Sequence, residues 1–377
     1  MVKYIFLIAA FNAFFFSVLL IQKKSKALHD RILVYWLLYL GIYIGIYSLT
    51  SRQLFTGFPL LSASFISLLM LHGPFLYLYI HSLINNEHKF NVNYFLHFAP
   101  FILFNFYLIV VSFLPETSGN IRLDHVESEI GAPWLFNFFL IVTALSGPVY
   151  FILSINLFKK LDINIFNNFS TIENINLDWL RKLVYTFAVV WTVLMAIATI
   201  HHVFHLFSWI FCADGLSLSI SAFIILIGYF GLKQNEIFSG YDEELFITED
   251  TAPKYEGSGL KESDALQYAE RLKNFMDTER PYLNPDLNLP QLAKDLDIPS
   301  HQLSQVINKN IGLNFFDFIN SYRVEEIKAK IANPEYNKFS LLGIAFESGF
   351  NSKSAFNRVF KNLSGETPTQ YKKRVTT

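Results

Sequence analysis

Residues 341–365 read LLGIAFESGFNSKSAFNRVFKNLSG, and this stretch decides the fold of the C-terminal end. Its apolar residues recur at helical spacing on both sides of a break at Ser348-Gly349-Phe350. Ser340 and Ser352 are suited to begin the two helices, because a serine side chain can accept a hydrogen bond from a backbone N–H of the first turn. Gly349 can supply the positive φ of a tight turn. The stretch therefore predicts a helix, a turn and a helix.

The same pattern occurs earlier, in residues 289–312, LPQLAKDLDIPSHQLSQVINKNIG. Here Asp297 stands in place of Gly349, and aspartate tolerates left-handed geometry at some cost. The matched positions are Leu292-Ala293 with Ile344-Ala345, Asp297-Ile298 with Gly349-Phe350, Ser300 with Ser352 and, after one inserted residue, Leu303 with Phe356, Val306-Ile307 with Val359-Phe360 and Gly312 with Gly365. This internal repeat predicts two helix-turn-helix units, each of which could place its second helix in a DNA major groove.

Two more helices complete this end of the chain. Residues 263–279 carry apolar side chains near helical spacing and stop at Pro281, and a long helix is predicted over residues 315–332, between the two units. The sequence therefore predicts an all-helical domain over residues 263–377.

Two quoted runs carry a resemblance to a known family. The stretch LAKDLDIPSHQLSQVINKNIGLNFFDFINSYRVEEIKAKI and the later IAFESGFNSKSAFNRVFKNLSGETPTQYKK resemble the DNA-binding domain of the AraC/XylS family of bacterial transcription regulators. The resemblance covers roughly the last hundred residues. It implies that the second helix of each unit enters one of two successive major grooves on one face of double-stranded DNA.

The resemblance also implies which side chains contact DNA. On the first reading helix they are His301, Gln302, Ser304, Gln305 and Lys309, and on the second they are Lys353, Ser354, Asn357, Arg358 and Lys361. These residue types suit the task, because Arg can pair with guanine and Gln or Asn with adenine. We expect Arg358 to contribute most to specificity, and Lys309 and Lys361 to contact phosphate. Between residues 351 and 377 the basic residues face a single acidic one, Glu366, which places the phosphate-contacting edge near the second unit.

The N-terminal two-thirds of the chain has a different composition. The 377 residues are 52% hydrophobic and only 16% charged, and the long uncharged runs lie before Lys233. A helix needs about 20 predominantly apolar residues to cross a bilayer. Seven segments meet this test, near residues 4–21, 32–50, 59–84, 94–114, 133–158, 183–210 and 215–232. The sequence therefore predicts an all-α protein, with a seven-helix transmembrane domain over residues 1–232 and the bilayer as a partner.

Several features refine this domain. Gly73-Pro74 and Gly147-Pro148 interrupt the third and fifth spans and predict kinks that face the bundle interior. Gly41 and Gly45 have the spacing at which helices approach closely, and either an aromatic neighbour of the same chain or a second subunit in a homodimer would satisfy it. The HGPFLYLY run of residues 72–79 and the WLRK of residues 179–182 resemble membrane-bound regulators of Bacteroidetes-type bacteria.

Basic residues set the predicted orientation. Lys23, Lys24 and Lys26 follow the first span, and the positive-inside rule makes that end cytoplasmic. The N-terminus is then outside, and seven crossings place the C-terminal domain in the cytoplasm of a bacterium, with the spans in its inner membrane. Residues 233–262, which are acidic and rich in turn formers, are predicted to be a flexible linker between the two domains.

The sequence gives little support to an enzyme. No Asp or Glu lies in a predicted span interior, which counts against an ion-coupled transporter and an intramembrane protease. A lone cysteine, Cys212, excludes an intramolecular disulfide. We expect no catalytic residues and no cofactor.

The signal itself is not identified. His201 and His205 share a helical face and could bind a metal, or they could simply lie at the membrane interface. The expected function is a one-component regulator that couples a membrane or periplasmic signal to promoter binding, through a ligand that is unknown. The alternatives are a transporter, lipid-modifying enzyme or receptor with a fused regulatory domain, and a membrane-tethered DNA-binding protein that senses nothing.

Overall fold

The computed structural model describes residues 2–23, 27–50, 58–85, 91–118, 121, 133–172, 177–204, 209–233 and 260–376. Most of the predicted linker, residues 234–259, lies outside these ranges. Within them the chain is helical, and the β-structure amounts to one isolated bridge between Phe169 and Asn288. The all-α class predicted from the sequence is confirmed.

Among the described residues, seven helical segments are long and apolar enough to cross a membrane, as the sequence predicts. The longer α-helices of the N-terminal part are α1 (Val2–Gln22), α2 (Leu28–Leu49), α3 (Pro59–Ser67), α4 (His72–Ile84), α5 (Ala99–Ser112), α6 (Trp134–Asn168), α7 (Asp178–Phe204) and α8 (Trp209–Lys233). A 3₁₀ helix, Val92–Phe98, precedes α5 and begins the fourth apolar segment. A 3₁₀ turn, Leu68–Leu71, joins α3 to α4, and these three elements form the third apolar segment.

The described chain divides into two compact units. One comprises Met1–Phe158 and Leu177–Ile237, and the other comprises Lys159–Asn176 and Phe238–Thr377. The second unit therefore includes residues 159–176, which the sequence analysis placed in the transmembrane domain.

Small residues in the first unit allow close helix packing. A Cβ on Gly41 would lie 3.1 Å from the Cβ of Ala13 and 3.2 Å from the ring of Phe14, and a Cβ on Gly45 would lie 3.9 Å from Ala10. These neighbours belong to α1 of the same chain. Of the two alternatives for Gly41 and Gly45, the structure shows a helix of the same chain in this position.

Both Gly-Pro pairs face the interior of the first unit, as predicted. Gly73 is buried and a Cβ there would lie 2.7 Å from Cγ of Tyr150. Gly147 is also buried, and a Cβ there would overlap the indole of Trp191. The 3₁₀ turn just before Gly73 marks the irregularity in the third segment, whereas Pro148 lies within the continuous helix α6.

One carboxylate lies deeper than the sequence suggests. Asp30 is within the first turn of α2 and is 2% exposed, although the predicted span begins after it. Lys23 donates to its Oδ1 at 2.9 Å. This ion pair neutralises the charge, which explains how a carboxylate is accommodated at this end of an apolar helix.

Residues 260–376 of the second compact unit fold mainly into helices. They are α9 (Glu262–Thr278), α10 (Leu289–Asp295), α11 (Ser300–Gln305), α12 (Phe315–Ala332), α13 (Leu341–Glu347), α14 (Lys353–Ser364) and α15 (Pro368–Thr376). A π-helical stretch, Val306–Ile311, extends α11. Leu272 and Met276 of α9 pack with Leu303, Ile307 and Phe315, so the predicted helix at residues 263–279 completes the core of the first helix-turn-helix unit.

Candidate nucleic-acid interface

Equivalent turns join the two helices of each unit. The N–H of Ile298 donates to the carbonyl of Ala293 at 2.9 Å, and the N–H of Phe350 donates to that of Ala345 at 3.1 Å. Asp297 and Gly349 precede these donors and both have positive φ, 52° and 93°. The left-handed geometry predicted at both positions is confirmed. Each turn fixes the direction in which its second helix leaves the core.

The second helices begin at positions that the sequence alignment misjudged by one residue. Ser352 begins α14, and its side chain accepts from the N–H of Ala355 at 3.1 Å. In the first helix-turn-helix unit, the residue at this cap position is Pro299. The sequence comparison paired Ser300 with Ser352, but Ser300 is the first residue of α11 and makes no capping bond. The extra residue of the second unit therefore lies in its turn, because Pro299 can begin a helix without a side-chain cap.

Glycines end both reading helices in the same way. Gly312 and Gly365 have φ of 80° and 79°. Each lies 13 residues after the cap of its helical stretch, Pro299 in the first unit and Ser352 in the second. With the start points corrected, Ser304 is equivalent to Asn357 and Gln305 to Arg358. The structure therefore allows the two candidate reading surfaces to be compared residue by residue.

The second reading helix presents its candidate residues to solvent. Lys353, Ser354, Asn357, Arg358 and Lys361 are all exposed, whereas Phe356, Val359 and Phe360 are buried against the domain. The apolar residues that recur at helical spacing in this stretch thus form the inward face of α14. One side of this helix thus carries two lysines, an arginine, an asparagine and a serine together.

The first reading helix presents fewer of them. His301 and Lys309 are exposed and Gln302 is partly exposed, but Ser304 and Gln305 are only 2% and 8% exposed. The exposure expected at these two residues is wrong. The Ser304 hydroxyl accepts from the amide of Asn308 at 3.1 Å, and α9 packs along the adjoining Val306–Ile311 stretch, a neighbour that helical spacing alone does not reveal. A base-contacting role for Ser304 and Gln305 stays a prediction.

The C-terminal helix adds charge beside the second unit. Tyr371 of α15 packs on Phe360 with ring centroids 5.6 Å apart, which ties α15 to α14. Arg374 donates to the Glu366 carboxylate at 2.6 Å, so the one acidic residue of this region is paired. Lys361 and Lys373 are exposed on the edge that the sequence predicts to be basic.

Arg323 is a central polar residue that sequence reasoning missed. It lies in α12, the helix that joins the two helix-turn-helix units, and is 0% exposed. Its Nε donates to the carbonyl of Tyr282 at 2.8 Å and its Nη2 to that of Asn284 at 2.8 Å, and its guanidinium lies 5.8 Å from the ring centroid of Phe350. Burial, with the Glu326 carboxylate, raises the pKa of nearby Tyr282. An arginine in an amphipathic helix usually indicates an exposed face, so the sequence carried no signal of this role.

No metal centre is found among the described residues: none of them form a group of three or more His, Cys, Asp or Glu side chains that could hold an ion. The His201 side chain and His205 lie outside what the structure describes, so both alternatives for them, a metal site and an interfacial position, stay open.

The structure and the family comparison agree on the class of this region. A family model described as a helix-turn-helix domain matches residues 292–374, which cover all but the first residues of the first helix-turn-helix unit, the helix that joins the units, and the second unit. The C-terminal part of the chain is a helix-turn-helix domain of the AraC type.

Curated proteins similar to this region are named as regulators. An uncharacterised HTH-type transcriptional regulator of Staphylococcus aureus (strain COL) is 30% identical over 91 residues, which are 24% of this chain and 12% of that protein. The Msm operon regulatory protein of Streptococcus mutans is 25% identical over 120 residues, 31% of this chain and 41% of that protein. The match thus spans about an eighth of the first protein and under half of the second. No solved structure matches the chain.

Proposed function

We propose that the protein is a membrane-bound, sequence-specific DNA-binding transcription regulator. The observation that carries the proposal is the presence, on one chain, of seven apolar helices of spanning length and a helix-turn-helix domain of the AraC type. Relatives of that domain are named as transcriptional regulators. We infer a non-enzymatic role, in which the apolar helices hold the domain at a bacterial inner membrane.

The orientation follows from charge. Lysines and arginines concentrate in loops on the side that includes Lys23, Lys159 and Lys233. The positive-inside rule makes this side cytoplasmic, with the N-terminus outside. The C-terminal domain then shares a compartment with DNA, which a DNA-reading function requires.

We propose that the second unit supplies most of the sequence specificity. Its candidate residues Lys353, Ser354, Asn357 and Arg358 are all exposed on α14, whereas in the first helix-turn-helix unit only the candidates His301 and Lys309 are exposed. Arg358 can donate two parallel hydrogen bonds to guanine, whereas Asn357 can donate one hydrogen bond to N7 of adenine and accept one from its N6 amino group. Lys309 and Lys361 suit phosphate, since a lysine contributes charge with little base discrimination.

The regulatory step requires two states of the protein. A ligand shifts their populations only if it binds one state better than the other. We propose that such a ligand acts on the membrane half or outside it, and that the domain then changes its occupancy of promoters. A tethered protein without sensing would show the same binding sites but constant occupancy.

Genome-wide mapping of sites bound by the intact chain tests the proposal. We expect a small set of sites that share a bipartite motif, because two reading helices contact successive grooves. Arg358→Ala should remove the site-specific signal while the protein remains in the membrane fraction. Lys338→Ala, which removes one exposed charge outside the reading helices, is the matched control. Undiminished, sequence-specific occupancy in Arg358→Ala contradicts the assignment of the reading helix, and the absence of specific sites in the unaltered chain contradicts the function.

A further inference from the structure

Residues 159–172 comprise the last turns of α6 and the four residues that follow it, and we name this segment the docking loop. It belongs to the same compact unit as the C-terminal domain. The N–H of Ser170 donates to the carbonyl of Leu287 at 3.2 Å, and the Ser170 hydroxyl donates to the same carbonyl at 2.7 Å. The hydroxyl of Thr171 donates to the carbonyl of Pro285 at 2.7 Å. Phe169 faces Asn288 in an antiparallel bridge. The docking loop thus pairs with the segment that leads into the first helix-turn-helix unit.

The docking loop also supplies acceptors to Arg323. Nη1 of Arg323 donates to the Ser170 carbonyl at 3.1 Å, and Nη2 donates to the Ser170 hydroxyl at 3.0 Å. The amide of Asn320 donates to the same carbonyl at 3.1 Å. A buried guanidinium is stable only where its N–H groups have hydrogen-bond acceptors. A buried N–H group that loses its acceptor destabilises the fold. Departure of the loop would therefore deprive Arg323 of bonds on both terminal nitrogens.

Apolar contacts support the same arrangement. Phe169 and Ser170 are 5% and 1% exposed, so the loop is held at depth and is not a surface contact. The ring of Phe166 meets that of Phe316 edge-on, with centroids 5.2 Å apart. Phe316 belongs to α12, the helix that also carries Arg323 and Asn320. The loop therefore contacts α12 over more than one turn.

Arg323 connects the docking loop to the second helix-turn-helix unit. A Cβ on Gly349 would lie 2.8 Å from Nε of Arg323, and Phe350 lies beneath the guanidinium. These two residues form the turn that directs α14, the reading helix with the most exposed candidate residues. A change in the position of Arg323 would therefore act on the turn before that helix.

The docking loop is joined to the apolar part of the chain at its N-terminal end by a continuous helix. Helix α6 runs from Trp134 to Asn168 without a break, 35 residues. At 1.5 Å per residue it is about 52 Å long, well beyond the ~30 Å of a hydrocarbon core. The helix is thus long enough for its last turns to extend beyond the bilayer. These turns include residues 159–168 of the docking loop.

We propose that the docking loop is an intramolecular docking element, and that Arg323 is the positioning residue through which it controls the second reading helix. The inference rests on the proposed function and names a route of regulation for it. The membrane half is then coupled to the DNA-binding domain through the end of its fifth span, as well as through the predicted linker at residues 233–262. A signal that displaces α6 changes the acceptors of Arg323 and hence the turn at Gly349.

Disulfide trapping in the full chain in membrane vesicles tests the docking. Cys212→Ser removes the single native cysteine. Facing residues of an antiparallel pair have Cα atoms about 4.5–5.5 Å apart, which suits a disulfide, so Phe169→Cys with Asn288→Cys should cross-link on oxidation. After cleavage at a protease site inserted between Gly257 and Ser258, denaturing electrophoresis without a reductant separates the C-terminal fragment from the membrane part unless the disulfide joins them. The two single-cysteine variants are the matched controls.

We expect most of the fragment to stay attached in the oxidised pair and to be released by a reductant. Because Asn288 also caps α10, an independent pair, Thr171→Cys with Pro285→Cys, tests the contact without removing that cap. Release of the fragment from both oxidised pairs, as in the single-cysteine controls, overturns the docking. This readout needs no DNA, so it stands apart from failure of the proposed function.

The control of the reading helix needs a second measurement. Ser170→Ala with Thr171→Val removes two hydroxyls of the docking loop, and we expect at least a five-fold loss of specific DNA occupancy. Ser170→Thr keeps a hydroxyl and should retain most of the occupancy, and Lys159→Ala, at an exposed position, is a control within the same loop. The oxidised pair should retain occupancy within about two-fold, since it fixes the described arrangement. Unchanged occupancy in Ser170→Ala/Thr171→Val refutes control through Arg323 even where cross-linking succeeds.

Discussion

Gly349 lies where a side chain would overlap the carbonyl oxygen of Tyr282, whereas its equivalent in the first unit, Asp297, carries a side chain at the same kind of positive φ. The backbone conformation alone therefore does not require glycine in this turn. What requires it in the second unit is the close approach of Tyr282 and Arg323. The two turns are alike in conformation and different in the space around them.

Gly349→Ala should destabilise the second unit by about 2–4 kcal/mol, because it combines a strained φ with a clash against backbone. The expected result is a lower temperature at which residues 260–377 of the full chain lose protease resistance. Specific DNA binding should fall with it. A melting temperature unchanged within error would contradict the close approach described for Gly349.

Asp297→Gly is the matched substitution in the first unit. Glycine adopts positive φ without the cost that aspartate carries, so we expect a change within about 1 kcal/mol, on the stabilising side. The same protease-resistance measurement applies. A loss as large as that of Gly349→Ala would show that the aspartate side chain has a role beyond the turn.

The caps of the two reading helices should respond unequally to the same substitution. Ser352→Ala removes the acceptor for the Ala355 N–H and should cost about 1 kcal/mol. Ser300→Ala should cost less than about 0.5 kcal/mol, because Pro299 occupies the cap position and Ser300 makes no capping bond. Thermal unfolding of the full chain in nanodiscs compares them. Equal losses would restore the sequence alignment that pairs Ser300 with Ser352.

Local signals in the sequence were sufficient for the helix-turn-helix units. The left-handed turns at Asp297 and Gly349 and the caps at Ser340 and Ser352 all depend on residues within one or two turns of helix. The seven apolar helices follow from composition over about 20 residues, which is also a local property. Such features are encoded where they occur, and they were predicted correctly.

Contacts between distant segments were not predictable in the same way. Arg323 bonds Ser170, 153 residues away in the sequence, and nothing in the pattern of α12 distinguishes it from an exposed arginine. Ser304 and Gln305 have the spacing of an outward face, but tertiary packing buries them. A one-residue shift of the insertion also escaped the alignment, because Pro299 and Ser300 are both plausible helix starts. These errors concern packing, which helical periodicity does not specify.

Two glycines in the membrane half should differ in their tolerance of alanine. Gly147→Ala places a methyl group against the Trp191 indole, whereas Gly45→Ala meets the Cβ of Ala10 at 3.9 Å, an ordinary contact. We expect Gly147→Ala to lower the thermal midpoint of the full chain in nanodiscs by several degrees, and Gly45→Ala to leave it unchanged or raised. Chemical cross-linking of Gly45→Ala should show the wild-type oligomeric state, since Gly45 faces α1. A changed oligomer would indicate that a second subunit also uses this glycine.

Arg358 and Lys361 lie one turn apart on α14, and their substitution by alanine should separate base contacts from phosphate contacts. Loss of a lysine–phosphate contact weakens binding to all sequences and reduces the slope of log K against log salt by about 1. Loss of an arginine that pairs with guanine costs about 1–3 kcal/mol at one position of the site and relaxes the preference there. We therefore expect Lys361→Ala to change the salt slope with an unchanged motif, and Arg358→Ala to change the motif at one base pair. Salt titrations with a specific and a scrambled duplex measure both effects, and an exchange of the two outcomes would reverse the assigned roles.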